Sequence, residues 1–138
     1  MTIKKLIDVI TKTAKKLPNI NYVNVGNVYD LNTKPDVDYS LIYLTYQNSE
    51  VNENEVRHNI VMFYIDRLTD GFDNRLDIQS DGIKTITNIV NTVVNLEDVE
   101  VNMPISFTPF NQRFAEDCAG VFSTITFIVD GDGNCHFD

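Results

Sequence analysis

Apolar positions along this chain repeat first at helical spacing, then at strand spacing, then at helical spacing again, and end at strand spacing. Ile3, Leu6, Ile7, Ile10, Ala14 and Leu17 recur every three or four residues. Residues Thr2 to Leu17 therefore predict an amphipathic helix, with Thr2 as its N-cap and Pro18-Asn19 as its stop. The stretch Ile20 to Leu31 (INYVNVGNVYDL) alternates apolar and polar residues and breaks at Gly26-Asn27. That is the pattern of a strand followed by a turn. After a loop from Asn32 to Asp38, Tyr39 to Tyr46 is dense in β-branched and aromatic residues and predicts a second strand. Gln47 to Glu55 is polar and reads as a connection to a third strand, Val56 to Asp66. Two consecutive strands so joined form an antiparallel hairpin, here with an arm projecting over about residues 47–55.

The centre of the chain runs from His58 to Val94: a buried strand, the polar loop Leu68 to Asp77, and a second helix from Ile78 to Leu96. Ile78, Ile83, Ile86, Ile89, Val90, Val93 and Val94 keep helical spacing, with Ser80 and Asp81 as candidate caps and Ile78 pointing to a start one turn earlier. Most of this face is β-branched, so packing against a sheet must supply the helix's stability. Val99 to Val101 then leads through Met103-Pro104 into Ile105 to Phe110. Asn111 to Gly120 reads as a connector, and Val121 to Val129 as the last strand. The order α-β-β-β-α-β-β predicts an α+β fold: a mostly antiparallel sheet with two helices packed on one face. At 138 residues the chain fits a single domain, 1–138, with a flexible tail over about 130–138.

Charge narrows the function. Net charge is −9, with 20 acids against 11 Lys and Arg, and the acids are spread along the chain. Such a surface disfavours tight binding to nucleic acid or to anionic membranes, though it permits DNA to pass without being gripped. Against this background, Lys4, Lys5, Lys12, Lys15 and Lys16 make the first helix locally basic. Lysines precede an apolar start, but Asp8 and the later lysines interrupt it and no small-residue cleavage site follows. We therefore expect no signal peptide, no membrane span, and synthesis in a cytoplasm.

Few residues carry chemistry. Cys118 and Cys135 make neither a disulfide framework nor a CxxC metal pair, and read as reduced thiols. The two histidines, His58 and His136, sit at a strand and near the end of the sequence, so a triad with either cysteine is not expected. Asp130, Asp132 and Asn134 alternate with glycines like the first ligands of a calcium loop. The sixth loop position, however, is Cys135 rather than Gly, and the sequence reaches Asp138 before a twelfth-position Glu. Asp66, Asp70, Asp73, Asp77 and Asp81 lack a phosphate-cradling loop or a base beside them, and read as turn and cap residues rather than as a magnesium site. The expectation is a non-enzyme with no cofactor and no metal.

FYIDRL (Phe63 to Leu68), LDIQSDGIKTITNIV (Leu76 to Val90) and RFAEDCAGVFSTITF (Arg113 to Phe127) give the chain its family likeness. Over roughly residues 38–129 it resembles tail-terminator or neck ring proteins of tailed bacteriophages, crAss-like phages of Bacteroidales in particular. That resemblance implies a tail-terminator-like fold and a noncatalytic virion protein in the neck or tail, a head-tail connector or tail terminator. Its copies would form a sixfold or twelvefold ring through which DNA passes, touching portal, neck or tail proteins. The arm and the loop Thr69 to Asp77 would then supply the contacts between subunits: Gln47, Asn48, Glu50, Asn52 and Glu53 from the first, Arg67, Asp70, Phe72, Asp73, Asn74 and Arg75 around the second. A small ligand-binding or regulatory α+β domain, with a pocket between helix and sheet, is the alternative.

Overall fold

The computed structural model describes residues 1–27, 38–69, 74–97, 99–113 and 117–130. The first helix, α1 (Ile3–Lys15), begins where Thr2, in extended backbone, accepts the Lys5 amide on its Oγ1 at 3.2 Å. It buries Leu6, Ile10, Thr13 and Ala14 on one side and leaves its lysines outside. Burial of Leu6 and Ile10 stabilises the domain by about 1.5–3 kcal/mol each. The chain then enters β1 (Tyr22–Val25), which runs parallel to β2 (Leu41–Val51) from Tyr22↔Leu41 to Val25↔Leu44.

β2 turns into β3 (Glu55–Arg67), and here the sequence reading needs correction. Gln47 to Glu55 is not a projecting polar connection. The β2–β3 ladder continues to Val51↔Val56, leaving Asn52, Glu53 and Asn54 as the turn. The Asn52 side chain holds it by accepting the amides of Asn54 and Glu55 at 3.1 and 3.0 Å. The segment is polar because β2 runs on past its pairing with β1, which ends at Val25↔Leu44, and has only β3 beside it there; a bulge between Tyr46 and Asn48 also changes which residues face the helices.

Helix α2 (Arg75–Glu97) starts one turn before Ile78, so Ser80 and Asp81 lie inside it and cap nothing. Gly82 lets it lie close on the sheet: a Cβ there would stand 2.7 Å from Val121 Cγ2 and 2.9 Å from Tyr64 Cδ1. After α2, β4 (Glu100–Val101) pairs with the far end of β6 (Asp117–Asp130), and β5 (Thr108–Arg113) pairs with its near end. Ile105 to Phe107 is not strand, and much of the expected connector Asn111 to Gly120 is instead the β5–β6 hairpin. β3 and β6 are paired along the whole of β3, from Glu55↔Asp130 to Arg67↔Cys118.

Among the described residues this gives six strands and two helices, with sheet order β1-β2-β3-β6-β4 and β5 also on β6. One ladder is parallel and the other four are antiparallel. Both helices cover one face, over Ile42, Leu44, Ile60, Met62, Tyr64, Val121, Ile125 and Phe127. The opposite face has a smaller core of Leu41, Tyr43, Ile65 and Cys118, bordered by Phe63 and Phe110. Phe63, Phe110 and Phe122 stack there with centroids 5.4–6.3 Å apart. Toward the β2–β3 turn the same face becomes polar.

Candidate functional site

The polar residues gather at the two ends of β3. Thirteen residues of strand separate these ends by roughly 40 Å. At the turn end, the ladder registers place Glu50, Arg57, Ile128 and Glu100 side by side across four strands. The next pairs outward end in Glu55↔Asp130, and Glu53 stands exposed on the turn. Arg57 donates to Glu55 at 2.8 Å, and this bond is the first cause holding the Glu55 carboxyl below its usual range, with Asn52 adding to it. Beside them Asn59 donates to Asn48 at 2.8 Å and accepts from Thr126, a polar ladder spanning β2, β3 and β6. A recess of about 360 Å³ opens between the turn and β4, lined by Asn54, Glu55, Glu100, Ile128 and Asp130.

At the other end, Arg67 stands 5.3 Å over the Tyr39 ring. Asn74 bridges the loop by accepting the Thr69 amide at 3.0 Å and donating to the Arg67 carbonyl at 3.2 Å. Arg75 is exposed at the start of α2. Asp70, Phe72 and Asp73 lie outside the described residues, as do His136, Cys135, Asp132, Asn134 and Asp138. Those predicted contact residues that are described thus form two groups, one at each end of the sheet. Nearby, burial is the main cause raising the Asp66 carboxyl above its usual range, with Asp81 across the gap adding to it, and burial likewise raises the Tyr64 phenol.

One constellation escaped the sequence reading. His58 is buried on the helix face of β3, its Nε2 3.3 Å from the Met1 carbonyl and its Nδ1 2.7 Å from Ser49 Oγ. A carbonyl only accepts, so Nε2 carries the proton, Nδ1 accepts, and the Ser49 hydroxyl donates to it. Tyr46 then donates to Ser49 at 2.5 Å, completing a Tyr46–Ser49–His58–Met1 relay. Burial is the largest cause holding the imidazole below its usual pKa; the nearby chain terminus pushes the same way, and the bond to Met1 opposes them. A serine donating to a histidine is half of an acyl-transfer site, but that chemistry also needs a substrate cavity and oxyanion donors. Tyr46, Ser49 and His58 line neither the turn-end recess nor the groove described next. What the relay does in the fold is tie the Met1 carbonyl to β3.

That groove, of about 510 Å³, lies open between the end of α2 and β4, with Val90, Val94, Val99, Val101 and Met103 as its apolar floor and Asn91 and Asn95 on its rim. Cys118 is a buried thiol, Asp77 and Asp81 are exposed on α2, and no trio of His, Cys, Asp or Glu among the described residues is placed to hold a metal ion. Among the described residues no helix is long and apolar enough to cross a membrane. No protein-family model matches the chain, and no curated protein matches it.

Proposed function

We propose that this chain is a noncatalytic assembly subunit of a tailed-phage virion, forming an oligomeric ring in the neck or tail through which DNA passes. The observation that carries this reading is the separation of two chemically different polar groups at opposite ends of β3. A subunit with two unlike contact surfaces can join head to tail, and head-to-tail contacts close into rings when the rotation allows. The net charge of −9 supports it further, because an acidic lumen lets DNA slide instead of holding it. Sixfold or twelvefold rings, with portal, neck or tail proteins as neighbours, follow from the same reading.

The test is native mass over a concentration series, with negative-stain images of the same samples. Discrete rings support the proposal and give the copy number. A monomer at every concentration, together with absence of the chain from intact virions, refutes it. The groove beside α2 favours one other reading, a small ligand-binding domain, since its volume falls in the range of ligand sites. A ligand-induced rise in melting temperature, lost when Val94 is replaced by Lys, would support that reading.

A further inference from the structure

We infer that the acidic turn end of the sheet in one copy docks on the lysine face of α1 in a second copy. This inference rests on the ring reading above and names the surface that receives one of its two contacts. Lys4, Lys5, Lys12, Lys15 and Lys16 are all exposed, and at about 100° per residue they share a third of the helix circumference, opposite Leu6 and Ile10. Only Asp8 interrupts them, so this face has five lysines against one acid. None of the five lysines has an ion-pair partner among the described residues, where the Arg57–Glu55 pair is the only salt bridge.

Among the described residues the turn end has the inverse composition: Glu50, Glu53, Glu55 and Glu100 against Arg57. The two faces therefore carry opposite net charge. Their lengths match as well. Glu50 and Glu100 stand three strand spacings apart, about 14 Å, and Lys5 and Lys15 are separated by about 15 Å of helix. The recess between the turn and β4 suits a lysine in particular, because Ile128 offers apolar surface to the alkyl stem while Glu55 and Glu100 stand beside the ammonium. The two faces are different surfaces of one subunit, so the contact is head to tail and propagates instead of stopping at a dimer. It also explains how copies with net charge −9 approach one another: their acidic bodies repel, and one basic face on each directs the encounter.

The experiment uses two charge reversals of the full chain, Lys5→Glu with Lys12→Glu and Lys16→Glu, and Glu50→Lys with Glu53→Lys and Glu100→Lys, and reads native mass by sedimentation velocity. Three substitutions on each face change the sign of its net charge; all six side chains are exposed, and circular dichroism checks that each variant is folded. The expected result is that each variant alone stays monomeric while an equimolar mixture assembles, since the reversed helix face of one then fits the reversed sheet end of the other. Raising salt from roughly 50 mM to roughly 0.5 M should weaken wild-type assembly about tenfold or more, through screening of exposed charges. Rings that form regardless of either reversal overturn this contact while leaving the ring reading intact. A wild-type monomer under all conditions overturns this contact, and absence of the chain from intact virions then overturns the ring reading as well. Failure of the mixture to assemble, with both variants folded, overturns the pairing of these two faces.

Discussion

Replacing Gly120 by Ala tests how the two faces of the sheet are joined. Gly120 sits in β6 between Ile65 on β3 and Phe110 on β5. A Cβ built there would overlap the Tyr64 carbonyl oxygen and stand 2.9 Å from its carbon and 3.1 Å from Phe110 Cζ. The nearest obstacle is backbone, which no rotamer change relieves, so β3 and β6 must separate locally. Losing one or two ladder bonds, and leaving their groups buried without partners, costs about 1–3 kcal/mol for each group. The reduced entropy of the unfolded chain returns only about 0.4–1 kcal/mol. The net expectation is a loss of about 3–5 kcal/mol, a large part of the stability of an ordinary domain. Gly82→Ala is the control: its Cβ meets the side chains of Val121 and Tyr64, which can shift. Overpacking there costs about 1–3 kcal/mol, against about 1 kcal/mol regained in helix propensity. Urea unfolding of both variants, read as midpoint shifts at constant slope, checks the ranking. Gly120→Ala within about 1 kcal/mol of wild type, or milder than Gly82→Ala, would refute the argument that close backbone approach fixes this position.

Because the folded state holds His58 below its ordinary pKa, the unfolded chain binds its proton first. Its contribution to stability is full above the unfolded value of about 6.5 and is lost as pH falls through the lower folded value, so melting temperature should drop on mild acidification, and less steeply in His58→Gln. Equal slopes in the two proteins would sink the assignment. Ser49→Ala should cost about 1–3 kcal/mol by leaving the buried Nδ1 unpaired, and Tyr46→Phe only about 0.5–1.5 kcal/mol, because Ser49 keeps its own bond to His58. A larger loss for Tyr46→Phe in thermal melts would mean that the relay runs the other way.

Much of the fold was legible because burial and periodicity agree. In β3, Val56, His58, Ile60, Met62 and Tyr64 alternate strictly into the helix-facing core, and α1 shows the same agreement from Leu6 to Ala14. The end of β2 was hidden for a physical reason. Its residues pair with one strand only, and beyond Tyr46 the bulge inverts the alternation, so Ser49 and Val51 join the helix face while Asn48 and Glu50 face away. A polar strand with a phase change reads as a loop. Treating Gln47 to Glu55 as a connection also hid the Ser49–His58 pair, because only the correct register sets those residues opposite each other. β5 was displaced for a similar reason: Thr108, Pro109 and Asn111 are exposed, while Phe110 packs against the far-face core.

That correction changes what the candidate contact surface can do. A projecting polar loop would have to be ordered on binding, at about 1–2 kcal/mol for each residue fixed. The turn end is already held by the β2–β3–β6 ladders, by the Asn48–Asn59–Thr126 chain and by the Asn52 side chain, so its acids are presented before any partner arrives. Docking then loses little conformational freedom beyond the side chains themselves. The same rigidity divides the residues into two kinds. Asn48, Asn52 and Asn59 build the surface, and their loss should act through folding. Glu53 and Glu100 only display charge from it, and their loss should act through association. A substitution at Asn52 that abolished assembly would therefore say nothing about the interface, whereas a charge reversal at Glu53 that did so in a folded protein would.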